Sequence, residues 1–381
     1  MKPVQDQVVH APQGLPEPRI LLGAGPSMAP PSVLQAMAAP LLGYLDPEFL
    51  GVLADIRRLL RTTFQTENEW TLAVSGTGTA AMETALGNLI EPGDRVLACV
   101  HGYFGARLAD MAARYGAEVH AIQRDWGQAF DPDEIRAALR PGIVKLVTLV
   151  HAETSTGVLQ SGIAEIAAAC HEAGALLVLD CVTSLGCVPV TVDAWDVDVA
   201  YSAGQKGISA PPGLSPITIG PRARKAIQAR RSPPPAFYFD LRLLTTYWGD
   251  SPAYHHTAPI STAFALREAL RLVQEEGLEA RFARHRANSE LLWKGLEALD
   301  LPLFVAPPNR LVPLTTVLTP PGRDEAAIRR RLLMDHNIEI AGGFGPLAGK
   351  VWRIGLMGYS SMKENVANLT NALESLLRSP E

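Results

Sequence analysis

Hydrophobic positions along the chain fall into two recurring patterns. Short runs with few polar interruptions, RVLACV, AEVHAI, KLVTLV, ALLVLD and DVDVAYS, have strand length. Near-continuous apolar strands of this kind suit a sheet covered on both faces. Between them lie segments with apolar residues every three or four positions. EFLGVLADIRRLLRTTF carries Phe49, Leu50, Leu53, Ile56, Leu59 and Leu60 at helical spacing, and ARLADMAARYG, DPDEIRAALR and AEIAAACHEAG follow. In DPDEIRAALR, Asp131 is placed to cap, Pro132 to open the first turn and Glu134 to complete the helix start. Strand and helix in alternation predict an α/β fold whose mostly parallel sheet is flanked by helices. Ligands in such folds bind outside the carboxyl ends of the strands.

The pattern changes after the helix STAFALREALRLVQEEG. A long helix, LEARFARHRANSELLWKGLEAL, leads to strands LPLFV and VPLTTVL, helix EAAIRRRLLMDH, and strands IEIAGG and KVWRIGLMG. A last helix is expected from Ser361, with Glu364 completing an S-x-x-E capping box. The reading divides the chain into an irregular arm (1–18), a large domain (19–277) and a small C-terminal α+β domain (278–381).

The chain has 381 residues, 47% of them hydrophobic and 19% charged, which is globular composition. A net charge of −5 without a basic tract argues against nucleic acid or an anionic membrane as partner. The four cysteines, Cys99, Cys170, Cys181 and Cys187, sit in apolar contexts without C-x-x-C spacing. That fits buried thiols in a reducing compartment and suggests neither a disulfide framework nor a metal site. The first residues are too polar and proline-rich for a secretory signal, and no apolar run has spanning length. A cytoplasmic protein is expected.

Candidate chemistry gathers where strands end. In TLAVSGTGTAAMETALGNLI, a strand turns through Thr77, Gly78 and Thr79 into a helix, and free N–H groups at a helix start favour a phosphate. The same turn satisfies G-x-G-x-x-A, the mark of a dinucleotide fold, but the next strand ends in His101-Gly102 without the acid that would hold a ribose. Phe104, Ser155 and Asp180 follow or end other strands. In DVDVAYSAGQKGISAPPG, Lys206 lies among Ala203, Gly204, Gly207 and Ile208. Surroundings that exclude water disfavour the charged form of an amine, and the neutral amine attacks carbonyls. A lysine, an aspartate, an aromatic ring and a phosphate cradle form a set able to hold pyridoxal phosphate, with the aspartate keeping the pyridine nitrogen protonated.

These segments resemble the class V, fold-type-I aminotransferases, most closely the alanine–glyoxylate (serine–pyruvate) group. The likeness covers nearly the whole chain. It rests on SGTGTAAMETAL, HGYFGARLADMAARYGA, VHAETSTGVLQ, LLVLDCVTSLG, AYSAGQKGISAPPG, YWGDSPAYHHTAPI and KVWRIGLMG in fixed order. It implies that Lys206 forms the Schiff base and shuttles a proton, and that Asp180 pairs with the pyridinium. It implies that Ser155 hydrogen-bonds the cofactor, that Phe104 stacks on its ring, and that Thr77, Gly78, Thr79 and Gln205 hold its phosphate. Tyr254 and Thr257 would reach the phosphate of a neighbouring subunit, so a homodimer with shared sites is implied. Arg353 would grip the substrate carboxylate, and Gly25 would line the pocket. Many relatives have Trp at the Phe104 position, and some have His at that of Thr79. The implied reaction moves an amino group from alanine or serine to glyoxylate or a similar small 2-oxo acid, giving glycine. Serine–glyoxylate and ureidoglycine–glyoxylate exchange, and a desulfurase-like lyase of the same fold, are the alternatives.

Overall fold

The computed structural model describes residues 17–378; of the predicted arm, residues 1–16 lie outside the described residues. Seven strands form the main sheet: β1 (Trp70–Ser75), β2 (Arg95–Val100), β3 (Glu118–Gln123), β4 (Val144–Val150), β5 (Leu176–Asp180), β6 (Val199–Tyr201) and β7 (Leu214–Ile219). Their spatial order is β1-β7-β6-β5-β4-β2-β3. All neighbours run parallel except β7, which is antiparallel to both β1 and β6. The predicted parallel architecture is therefore present, with one reversed strand set inside it.

The apolar runs behave as a doubly covered sheet requires except AEVHAI, which forms the edge strand β3 and has no buried residue. Every residue of β7 is buried, and in β4 only Lys145 is not fully so. Each large aliphatic side chain removed from water contributes about 1.5–3 kcal/mol. Helices α1 (Pro47–Phe64), α2 (Gly78–Leu89), α3 (Tyr103–Arg114) and α4 (Ile260–Glu276) supply the covering faces. Asp131 and Glu134 form the reciprocal cap the sequence suggests at Pro132–Ala138.

From Leu278 the long helix α5 (Leu278–Ala298) leads into a second core built on Leu292, Leu296, Val317, Trp352, Ile354 and Leu369. Its sheet has three strands, β8 (Leu314–Leu318), β9 (Ala341–Gly342) and β10 (Val351–Gly355), in the order β8-β10-β9 and wholly antiparallel. The run LPLFV forms only a bridge, Leu303 to Val317. Pro302 has no N–H to give a ladder there. The last helix, α6 (Lys363–Arg378), starts after the predicted Ser361, whose hydroxyl instead accepts from Asn288 Nδ2 at 3.1 Å.

One segment joins the two cores. Ile20–Leu21 pairs in parallel with Ile338–Glu339, and Leu22 lies in the second core. The chain then crosses to the lysine loop, where Ser27 N–H donates to Gln205 O (2.9 Å) and its hydroxyl to Lys206 O (2.8 Å).

Candidate active site

A cavity of about 170 Å³ opens at the carboxyl ends of β1, β2, β4, β5 and β6. Thr77, Gly78, Thr79, Phe104, Asp180, Gln205 and Lys206 all line it, along with Met82, Arg107 and Thr154. Seven of the residues singled out in the sequence thus share one wall.

Asp180 ends β5 and is 3% exposed. Its carboxylate accepts from Val182 N (2.9 Å) and from Tyr201 Oη (2.8 Å). Burial pushes its pKa up to about 6, against the pull of those two donors. A carboxylate so placed, with no cation bonded to it among the described residues, gains from a positive charge delivered into the cavity. Lys206 is partly accessible through the cavity and otherwise closely packed. Its amine donates to Ala24 O. Burial first, and the Arg353 charge second, bring its pKa down from 10.5 to about 8, while Asp180 pulls the other way. Gly25 has φ +113°, and a Cβ there would fall on the Lys206 side chain, 2.7 Å from Cε. Only glycine fits this place.

Helix α2 opens at the cavity. Gly76 takes φ +140°, Thr77 is the N-cap in extended geometry, and its hydroxyl makes no capping bond. The first N–H groups of a twelve-residue helix and an uncommitted hydroxyl therefore face the space. Gln205 has a buried carboxamide oxygen without a hydrogen-bond partner. A carboxamide rotated by half a turn would present N–H donors to an anion instead.

Three predicted residues lie beside the cavity rather than on its wall. Arg353, on β10 and 3% exposed, donates from Nε to Gly342 O (2.7 Å) and from Nη1 to Thr154 O (3.0 Å), and it stacks on Phe344 at 4.1 Å. Burial lowers its pKa to about 10, which leaves it a cation at neutral pH, and no carboxylate bonds it among the described residues. Gly25 stands over Lys206, as described. Ser155 accepts from Tyr103 N (2.9 Å) and donates to Glu153 (2.6 Å). Tyr254 and Thr257 are not among the cavity-lining residues and are exposed. The residues between them are anchored inward: His256 Nε2 is 2.7 Å from the hydroxyl of Ser75, and His255 and His256 share a ring-nitrogen hydrogen bond of 2.8 Å.

Sequence reasoning missed Glu153. It is fully buried and takes hydrogen bonds from Phe104 N, Gly105 N, Ser155 N and Ser155 Oγ. A negative charge at the start of α3 complements the helix dipole and fixes Phe104 at the cavity. Gly102 makes room for it, since a Cβ there would lie 2.5 Å from Glu153 Cδ. Tyr201, Arg107 and Thr154 were also passed over. Their signal was position at strand ends and in the first turn after one, which is weak without the tertiary pairing.

The family model for aminotransferase class-V matches residues 19–369. This chain belongs to the class-V aminotransferases. A crystal structure of alanine–glyoxylate aminotransferase from Nostoc sp. is 52% identical, with a TM-score of 0.93 over 99% of this chain and all of that one. A ureidoglycine–glyoxylate aminotransferase structure from Bacillus subtilis is 42% identical, with a TM-score of 0.94 over 96% of this chain and 94% of that one. Alanine–glyoxylate aminotransferase of Oryctolagus cuniculus is 42% identical over 97% of both chains. Cysteine desulfurase from Thermococcus onnurineus, at 17% identity, shares the fold.

Class-V aminotransferases use pyridoxal phosphate, and the cavity of this aminotransferase suits it. Among the described residues no cation is bonded to Asp180 and the Gln205 carboxamide oxygen has no hydrogen-bond partner, and an open helix start and a lysine line the same cavity. The dinucleotide reading of the G-x-G-x-x-A turn is set aside by the family match. Among the described residues no group of three or more His, Cys, Asp or Glu could hold a metal, and no helix is long and apolar enough to cross a membrane.

Proposed function

We propose that this aminotransferase moves the amino group of alanine or serine to glyoxylate or a similar small 2-oxo acid, giving glycine. The observation that carries the reading is a lysine amine of lowered pKa and a buried carboxylate on one cavity wall, with the Arg353 guanidinium beside it and, among the described residues, no cation bonded to the carboxylate and no carboxylate bonded to the guanidinium. The alanine–glyoxylate relatives support the substrates. The ureidoglycine–glyoxylate relatives support a second donor on the same site.

Pyridoxal phosphate, when bound, supplies an aldehyde that carries nitrogen and a ring that draws electrons. Lys206 would hold that aldehyde, and about a tenth of its amine is neutral at pH 7 given a pKa of about 8. Once displaced by substrate, the same amine would take the proton from the substrate α-carbon and return it to the nitrogen-bearing product. Asp180 would face the ring nitrogen and keep it cationic. Phe104 would present an aromatic face, and Ser155 a hydroxyl. Thr77, Gly78, Thr79 and Gln205 would hold the phosphate. Arg353 would take the substrate carboxylate in a two-point grip that orients the α-hydrogen. Gly25 would keep the approach to the amine clear.

We further assign residues 19–277 to a cofactor-binding domain and 278–381 to a small domain carrying Arg353, with Ile20–Leu22 packed on the small domain's core although they precede the boundary in sequence. A homodimer, with Tyr254 and Thr257 completing the partner's phosphate site, is supported by their exposure on an inwardly anchored loop. Four buried free thiols support a cytoplasmic location. Their pKa values are all raised by burial, which also speaks against a reactive cysteine of the desulfurase kind.

The test is a panel of L-alanine, L-serine and (S)-ureidoglycine against glyoxylate and pyruvate. The wild type should form glycine from glyoxylate, and Lys206→Ala should lose both turnover and the absorbance of the lysine-bound cofactor. A wild type that binds pyridoxal phosphate but makes no glycine from any donor refutes the reading. Sulfide from cysteine would restore the lyase alternative, and full turnover by a monomer would remove the shared site.

A further inference from the structure

The phosphate end of the cavity poses a charge problem. A phosphate monoester carries nearly two negative charges at neutral pH, whereas a helix N-terminus offers about half a positive one. Gly78, Thr77, Thr79 and Gln205 are neutral, and so are the two residues expected from the partner subunit. Of the cavity-lining residues only Lys206 and Arg107 are cationic. Lys206 points to Ala24 O and is reserved for the aldehyde.

Arg107 lies one turn after Phe104 on α3, so both project on one side of the helix. Its guanidinium rests 4.9 Å from the Phe104 ring centroid and 5.1 Å from that of Tyr103. Its Nη1 reaches toward Thr79 Oγ1 at 3.4 Å, on the first turn of α2. That is a long, weak hydrogen bond for a group that prefers an anion. No carboxylate among the described residues pairs with it, in contrast to Arg114 on the same helix, which pairs with Asp110 at 2.9 Å. A partly buried arginine is thus held by two aromatic faces with its donors directed at the phosphate cradle.

We propose that Arg107 is a cofactor-positioning residue, supplying the formal positive charge for the phosphate at a site where Thr79 offers only a hydroxyl. This rests on the reading that the cavity holds pyridoxal phosphate. Contact with the two rings restricts the guanidinium, so less side-chain freedom is lost when the phosphate binds.

The test compares binding of pyridoxal phosphate and of pyridoxal, which lacks the phosphate, to the cofactor-free wild type, Arg107→Gln and Arg107→Lys. Affinity is read by tryptophan fluorescence at low and high NaCl, with inorganic phosphate as a competitor. A charge-assisted hydrogen bond of the usual strength predicts that Arg107→Gln weakens pyridoxal phosphate about ten- to hundredfold. Pyridoxal should change less than about twofold, because the lost contact is to the phosphate alone. The salt dependence should flatten and inorganic phosphate should compete less well, while Arg107→Lys recovers most of the affinity. Should Arg107→Gln not fold, Arg107→Met, which keeps apolar contact with Phe104, serves the same comparison. Equal loss for pyridoxal and its phosphate, or a lysine variant as weak as the neutral one with an unchanged salt slope, overturns the proposal and makes Arg107 a packing residue. A wild type that takes up neither compound fails the cofactor reading itself.

Discussion

Replacing Lys206 by methionine removes an amine and keeps the side chain's length. In the cofactor-free protein the amine's pKa has moved from 10.5 to about 8, chiefly through burial. At about 1.4 kcal/mol per pH unit, holding that proton costs the native state about 3 kcal/mol at pH 7. The accessible cavity face makes this an upper figure, and the lost hydrogen bond to Ala24 O offsets about 1 kcal/mol of the gain. Lys206→Met should therefore be about 2 kcal/mol more stable than the wild type at pH 7. The sign then changes with pH in a defined window. Between pH 8 and 10.5 the unfolded amine stays protonated while the native one does not, so wild-type stability rises with pH. The advantage of methionine should be gone by pH 10.5, where the native amine is neutral and the unfolded one is half deprotonated, so that only the lost hydrogen bond to Ala24 O is left to set the sign. Urea unfolding of the two apoproteins at pH 7 and 10.5 reads the difference, in which groups common to both cancel. A methionine variant less stable than the wild type by a similar margin at both pH values would show that the amine is not held at a cost, and the basis for its reactivity would fall with it.

Glu153→Gln should destabilise the protein by about 2–3 kcal/mol in thermal or denaturant unfolding, because its amide would turn N–H donors toward the backbone N–H groups that the carboxylate now accepts. Cofactor affinity should fall as well, since Phe104 loses the anchor that sets its ring. Arg353→Gln should raise KM about tenfold or more for amino donor and 2-oxo acceptor alike if, as proposed, one guanidinium serves both carboxylates; unchanged KM values would remove Arg353 from substrate binding.

How much of this was legible beforehand follows from what each feature depends on. The parallel sheet was readable because LVTLV and LLVLD lack polar interruption, a property of the strand itself. The lysine loop, the turn at Thr77–Thr79 and Asp180 were readable because their chemistry is local and a strand end gives their place. Strand β7 was not, since LSPITI carries Ser215, Pro216 and Thr218 among its apolar residues and follows the Pro-Pro-Gly stop of the lysine loop, and only its pairing with Val199–Tyr201 and Trp70–Ser75 shows both the strand and its reversed sense. Glu153 was hidden for a related reason. An acid two residues before Ser155 looks solvent-bound until Gly102 and the start of α3 close over it. Arg107 read as one more charge on an amphipathic helix, because its lack of an acidic partner is a fact of tertiary structure. The LPLFV reading failed on Pro302, whose effect on the ladder was written in the sequence and outweighed by hydrophobicity.

The crossing segment at residues 20–27 has a mechanical consequence. Its first part is an edge strand of the C-terminal unit, its middle crowds the reactive amine at Gly25, and its end is tied to the carbonyls of Gln205 and Lys206. Residues far apart in number thereby share one lever. A substitution at Ile338 or Glu339 that slides this edge by a fraction of an ångström would be felt as a changed environment at the amine, although neither residue lines the cavity.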